Sequence, residues 1–146
     1  MLHALELAKE NLEKWCGDLT DADLNARPAN LAPVAFHVRH IARSIDRLLT
    51  YAEDRNLSGE QMEALKTELD PDAKRGELFA ELDAALKSAA ARIKAFQSNQ
   101  LEERRVVGRK QLATTVGGLL VHVADHTQHH VGQATTTAKI VVAQRD

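Results

Sequence analysis

Four of the chain's seven histidines fall within nine residues: His122, His126, His129 and His130 in "HVADHTQHH". On an α-helix, positions four apart differ by about 40° in direction and about 6 Å in rise. His126 and His130 would therefore stand one above the other on a single face. Two imidazoles so placed can converge on one ion at metal–nitrogen distances of about 2.1 Å. One helix does not easily supply a third facial ligand, but an earlier segment, "FHVRHIARSIDRLL", offers His37 and His40. The same spacing also arises on packed or solvated helix faces, so spacing alone leaves open both a metal site and an incidental pair.

The neighbouring residues narrow the chemistry. A zinc-protease helix is a poor reading, because Thr127 and not a glutamate follows His126. Cys16 is the chain's one cysteine, which excludes a thiolate-type structural zinc site and an internal disulfide, and suits a reducing compartment. His122 lies one turn before His126 on nearly the same face, as a supporting neighbour or a lining of the bundle end. His129 points about 60° away from His126, toward solvent, and Asp125 about 100° away, which makes it a poor base for chemistry at an ion. His3 has no companion and reads as a surface residue. No Ser–His–Asp order suggests a triad, and the threonines of "ATTTAK" supply no independent nucleophile.

The elements that must position these histidines are helices. With 146 residues, 44% hydrophobic, 27% charged and 3% aromatic, the chain reads as one domain, 1–146, with enough length to bury its own core. Apolar residues recur at helical spacing almost throughout. A first helix spans about 2–16, on Leu2, Leu5, Leu12 and Trp15, and stops at Gly17. Pro28 and Pro33 lead into a second, about 31–53, with Val34, Val38, Ile41, Ile45, Leu48, Leu49 and Ala52 on one stripe. Ser58 with Gln61 forms a capping box that opens a short helix to about 68. A long helix follows at about 76–97, then a polar crossing at 98–113, then the histidine helix at about 114–141. Trp15, Phe79 and Phe96 sit at core spacings. The expected fold is all-α: a four-helix bundle with one short extra helix. Against the second helix's stripe, centred near Ile41, Ile45 and Leu48, His37 lies closer than His40, so periodicity alone selects His37 as the inward residue.

Net charge is −2 with both signs interspersed, which gives no electrostatic case for nucleic acid or an anionic membrane surface. No apolar run reaches the ~20 residues of a membrane span, and "MLHALELAKE" lacks the pattern of a signal peptide. A cytoplasmic protein is the expectation. The basic crossing, Arg104, Arg105, Arg109 and Lys110, reads as a solvated loop.

"HIARSIDRLLTY" and "HTQHHVGQ" together resemble the DinB/YfiT-like superfamily of four-helix-bundle metalloproteins. The resemblance extends over nearly the whole chain in motif order and helix layout. It implies a divalent metal held by one histidine of the second helix and two of the last, which here fall on His40, His126 and His130. This chain departs from many members in carrying Val131 where an arginine often follows the second histidine. The resemblance favours His40 over His37, which then lines the pocket. Zinc or nickel is the ion it suggests, and three neutral imidazoles leave coordination positions open. It further implies a small-molecule substrate, a thiol-dependent S-transferase or isomerase activity with a low-molecular-weight thiol as co-substrate, or a hydrolase activity, and a homodimer. A non-catalytic metal- or ligand-binding stress protein is the alternative. Candidates to line a substrate pocket are His37, Ser44, Arg47, Tyr51, His122 and Gln133; Arg47 could pair with a substrate carboxylate, but a surface ion pair with Asp46 or Glu53 is the preferred reading of it.

Overall fold

A computed structural model of the chain describes residues 1–145. Four long helices form the bundle: α1 (Leu2–Cys16), α3 (Val34–Ala52), α5 (Arg75–Ala95) and α6 (Val116–Ala143). Two short ones, α2 (Asp21–Asn25) and α4 (Gly59–Lys66), sit in the connections. The helix α3 is central, packing on α6 and α5, while α1 packs on α6. Its buried stripe, Val34, Val38, Ile41, Ile45, Leu48, Leu49 and Ala52, is the one its periodicity predicts. Pro33 occupies the N-cap of α3, so the helix begins at residue 34 and not 31, since proline fixes an extended entry.

Capping sets the other starts. Ser58 and Gln61 form the expected reciprocal box at α4, and Thr20 and Asp23 form another at α2, an element the sequence reading did not contain. At the end of α1, Gly17 keeps a right-handed backbone (φ −63°). Its requirement is space: a Cβ there would lie 2.4 Å from the Glu13 carbonyl oxygen.

Two expectations need correction. The polar crossing is a two-stranded antiparallel hairpin, β1 (Arg104–Val107) and β2 (Leu112–Thr115), with Arg104 opposite Thr115 and Val107 opposite Leu112. Gly108, at φ +69°, opens its turn. Trp15 is not a core residue either. The buried face of α1 runs through Leu5, Ala8, Leu12 and Cys16, which rotates Trp15 to the surface. There its ring lies under Lys139 of α6, with Nζ 4.1 Å from the centroid. Phe79 and Phe96 do pack against the core. Among the described residues, no helix is long and apolar enough to cross a membrane.

Candidate metal centre

Residues of α3 and α6 meet in descending and ascending order, His40 with His126 and His37 with His130, so the two helices run antiparallel along the seam. His126 and His130 share one face of α6, with ring centroids 4.6 Å apart. From α3, the ring of His40 lies 4.4 Å from that of His130 and 5.0 Å from that of His126. Ligand-capable nitrogens of His40, His126 and His130 all lie within 4.8 Å of one another.

The outward nitrogens identify which atoms face inward. His40 Nδ1 lies 2.7 Å from Glu68 Oε2, and His40 Nε2 lies 2.9 Å from His126 Nε2. His130 Nδ1 is engaged by His37 Nδ1 at 3.0 Å, which leaves its Nε2 free. All three histidines can thus offer Nε2 while the partner at Nδ1 fixes two of the rings, an arrangement common to metal-binding histidines. Phe36 stacks on His40 at 5.3 Å with the planes 20° apart and covers one side of the cluster.

The electrostatics suit neutral ligands. Burial, with the neighbouring imidazole of His40 next in weight, pushes His130 down to about 3 and His126 below its ordinary value. Burial likewise takes His37 down to about 4. The candidate ligands His126 and His130 therefore hold a lone pair at neutral pH, the form a metal requires. Glu68 behaves oppositely. Burial pushes its carboxyl up, but hydrogen bonds from His40 and Arg47 outweigh that and hold it below the usual carboxylate range. Three convergent imidazole nitrogens, two of them on rings whose outer nitrogens are partnered, are a donor set that fits a divalent metal ion.

The remaining sequence candidates distribute unevenly. His37 is buried at 5% exposure, as the stripe predicts, and touches His130 and not the three-nitrogen centre. His122 is exposed with its ring edge-on to His126 at 5.7 Å. Gln133 bonds to His129 Nε2 at 3.2 Å, and both line a hollow of about 490 Å³ with His37 and Leu31. Arg47 donates to Glu68 Oε1 at 2.7 Å, a partner other than Asp46 or Glu53. Ser44 is buried and donates to the Ile41 carbonyl oxygen, and Tyr51 packs against the core. Neither is brought to the histidine cluster by any hydrogen bond among the described residues.

Glu68 is the residue that sequence reasoning missed. It belongs to no periodic apolar pattern and follows a helix, α4, that buries none of its residues. The only available signal was an acidic residue in a connection between helices, which is ordinary.

A sequence profile of the DinB superfamily matches residues 4–134. The chain belongs to the DinB superfamily. Solved structures agree on the fold. A conserved protein of Enterococcus faecalis superposes with a TM-score of 0.80 at 22% identity, covering 98% of this chain and 95% of that one. YfiT of Bacillus subtilis superposes with a TM-score of 0.70 at 18% identity, covering 94% and 83%, and is described as a probable metal-dependent hydrolase with an unusual four-helix bundle topology. No curated protein matches the chain in sequence. Membership accounts for the bundle, and the histidine geometry stands beside it as an observation on this DinB-superfamily chain itself.

Proposed function

We propose that His40, His126 and His130 bind one divalent ion, zinc or nickel, and that the protein is a metal-dependent enzyme acting on a small molecule. The observation that carries this reading is the convergence of three imidazole donors from two antiparallel helices within 4.8 Å. Three protein ligands leave coordination positions for exogenous groups, the pattern of a catalytic and not a structural site. When bound, such an ion acts as a Lewis acid and lowers the pKa of a coordinated water or thiol. The chain's own residues orient the donors through Glu68 and His37, and cover one side with Phe36. The exposed imidazole of His122 stands beside the cluster, where it can meet a substrate.

Hydrolysis is supported by the description of YfiT, and transfer to a low-molecular-weight thiol by the family resemblance. The two separate in one assay series: hydrolytic turnover persists without added thiol, whereas S-transfer requires it. The homodimer belongs to the same reading and is checked by sedimentation equilibrium.

The deciding experiment is elemental analysis of tag-free protein beside His40→Ala and His126→Ala. The reading expects a stoichiometric ion in the parent and its loss in both variants. A parent that takes up neither zinc nor nickel, even after loading, would end the enzyme proposal. An ion that is retained but closed to added azide or thiol, followed by the spectrum of the cobalt-substituted protein, would leave the non-catalytic alternative.

A further inference from the structure

Glu68 is 5% exposed and, among the described residues, the only buried carboxylate. Burying a carboxylate is costly unless it is paired and hydrogen-bonded, and α4 gives no packing reason to bring one inward. Three arginines of α3, spaced four apart along one face, account for its position. Arg39 donates to the carbonyl oxygens of Thr67, Glu68 and Asp70 at 3.2, 3.2 and 3.0 Å. Arg43 donates to the Ala64 carbonyl oxygen at 2.6 Å and to Thr67 Oγ1 at 2.9 Å. Arg47 takes Glu68 Oε1 at 2.7 Å and leaves Oε2 against His40 Nδ1, also at 2.7 Å. Two rungs hold the backbone of the segment that ends α4, and the third holds the carboxylate itself.

We propose that Arg39, Arg43 and Arg47 are a positioning ladder that delivers Glu68 to His40, fixing the imidazole proton on Nδ1 and presenting the Nε2 lone pair to the centre shared with His126 and His130. The inference rests on the metal reading above for its purpose, but not for its geometry. An ionised carboxylate is acceptor-only, so the atom facing it must carry the proton. Neutral His40 then has a single lone pair on Nε2. Its 2.9 Å contact with His126 Nε2 follows, with His126 donating in the metal-free protein. Arg47 is on this account a positioning residue and not a substrate clamp, because its guanidinium is committed to Glu68.

The test reads the tautomer and the affinity separately. Long-range ¹H–¹⁵N NMR of the metal-free protein, with its imidazoles neutral, should show His40 protonated on Nδ1. In Glu68→Leu the proton should shift toward Nε2, and zinc affinity should fall about 10–100-fold, the usual effect of losing such a partner. Glu68→Gln, which keeps an acceptor oxygen, should retain the Nδ1 proton and recover most of the affinity. Arg47→Met should weaken zinc binding less than Glu68→Leu does. A wild-type His40 protonated on Nε2 would overturn the proposal, as would a Glu68→Leu protein with unchanged tautomer and zinc affinity. If Glu68→Leu does not fold, the wild-type tautomer decides alone. Failure of the metal reading looks different: the wild type would bind no zinc while its metal-free tautomer still reported on the ladder.

Discussion

At the scale of single residues, the buried imidazole of His37 gives the folded state a pH limit. Its value falls from an ordinary 6.5 to about 4, with burial the main cause. Between those values the unfolded chain takes up a proton at this position and the folded chain does not. Acidification through that window therefore favours unfolding, and above about 6.5 this histidine contributes no pH dependence. His130 acts with the same sign over a wider window, down to about 3. The unfolding free energy measured by urea titration should fall steadily from about pH 6.5 to about pH 4, by up to about 1.4 kcal/mol per pH unit for each such histidine. His37→Phe should show a shallower fall, and an equal slope would remove His37 as a contributor. The same pair of α3 histidines shows what the sequence could carry. Periodicity selects His37 as inward and is right about burial. It says nothing of convergence, which falls to His40 at the rim because Glu68 and His126 meet it there. His126 and His130 were legible because spacing of four on one helix fixes their geometry locally. Glu68 was not, because its inward turn is imposed by arginines some 20 to 30 residues earlier in the chain.

At the scale of elements, α3 is held to α5 by more than apolar packing. Arg92 of α5 donates to Asp46 Oδ1 at 2.6 Å and to Glu53 Oε1 at 2.6 Å, and also reaches Thr50 Oγ1 at 3.1 Å. Gln61, from α4, bonds to the same Asp46 and Thr50, so one network ties three helices. Arg92→Met should destabilise the fold by about 1–3 kcal/mol, between the values for exposed and buried pairs because Asp46 remains half-exposed. Urea denaturation measures the loss, and zinc uptake should be unaffected, since none of these side chains touches the histidine cluster. The hairpin matters to α6 in a different way. Residues just outside its strands receive the first N–H groups of the helix, Val116 donating to the Glu103 carbonyl oxygen at 3.0 Å and Gly117 to that of Leu101 at 2.8 Å. "RRVV" and "LATT" carried no strand signal strong enough to read, because four-residue strands with exposed Val106 and Leu112 lack a buried alternating face. Trp15 was misplaced for a related reason. A large aromatic dominates a periodicity reading, whereas the face of α1 that packs runs through Leu5, Ala8, Leu12 and Cys16, two of them small residues that a reading by bulk passes over.

At the scale of the whole molecule, the bundle was legible because its four long helices each carry a continuous stripe, and the stripe of α3 faces two neighbours at once. The same layout sets what an ion would do to stability. The cluster lies on the seam where α3 packs against α6, and its donors come from both helices. Separating those helices dismantles the site, so an ion binds the folded state in preference to the unfolded one. Free zinc at about a hundred times its dissociation constant should then add about 2.7 kcal/mol. For a chain of this length that corresponds to a rise of roughly 5–10 °C in Tm. A chelator should return Tm to its starting value, and His130→Ala should abolish the rise while leaving the metal-free protein folded, because His130 is only partly buried. A rise that persists in His130→Ala would place the ion elsewhere. No rise in the parent, with zinc uptake demonstrated by analysis, would mean that the unfolded chain holds the ion as well as the folded one. The antiparallel seam would then not be what gathers the three imidazoles.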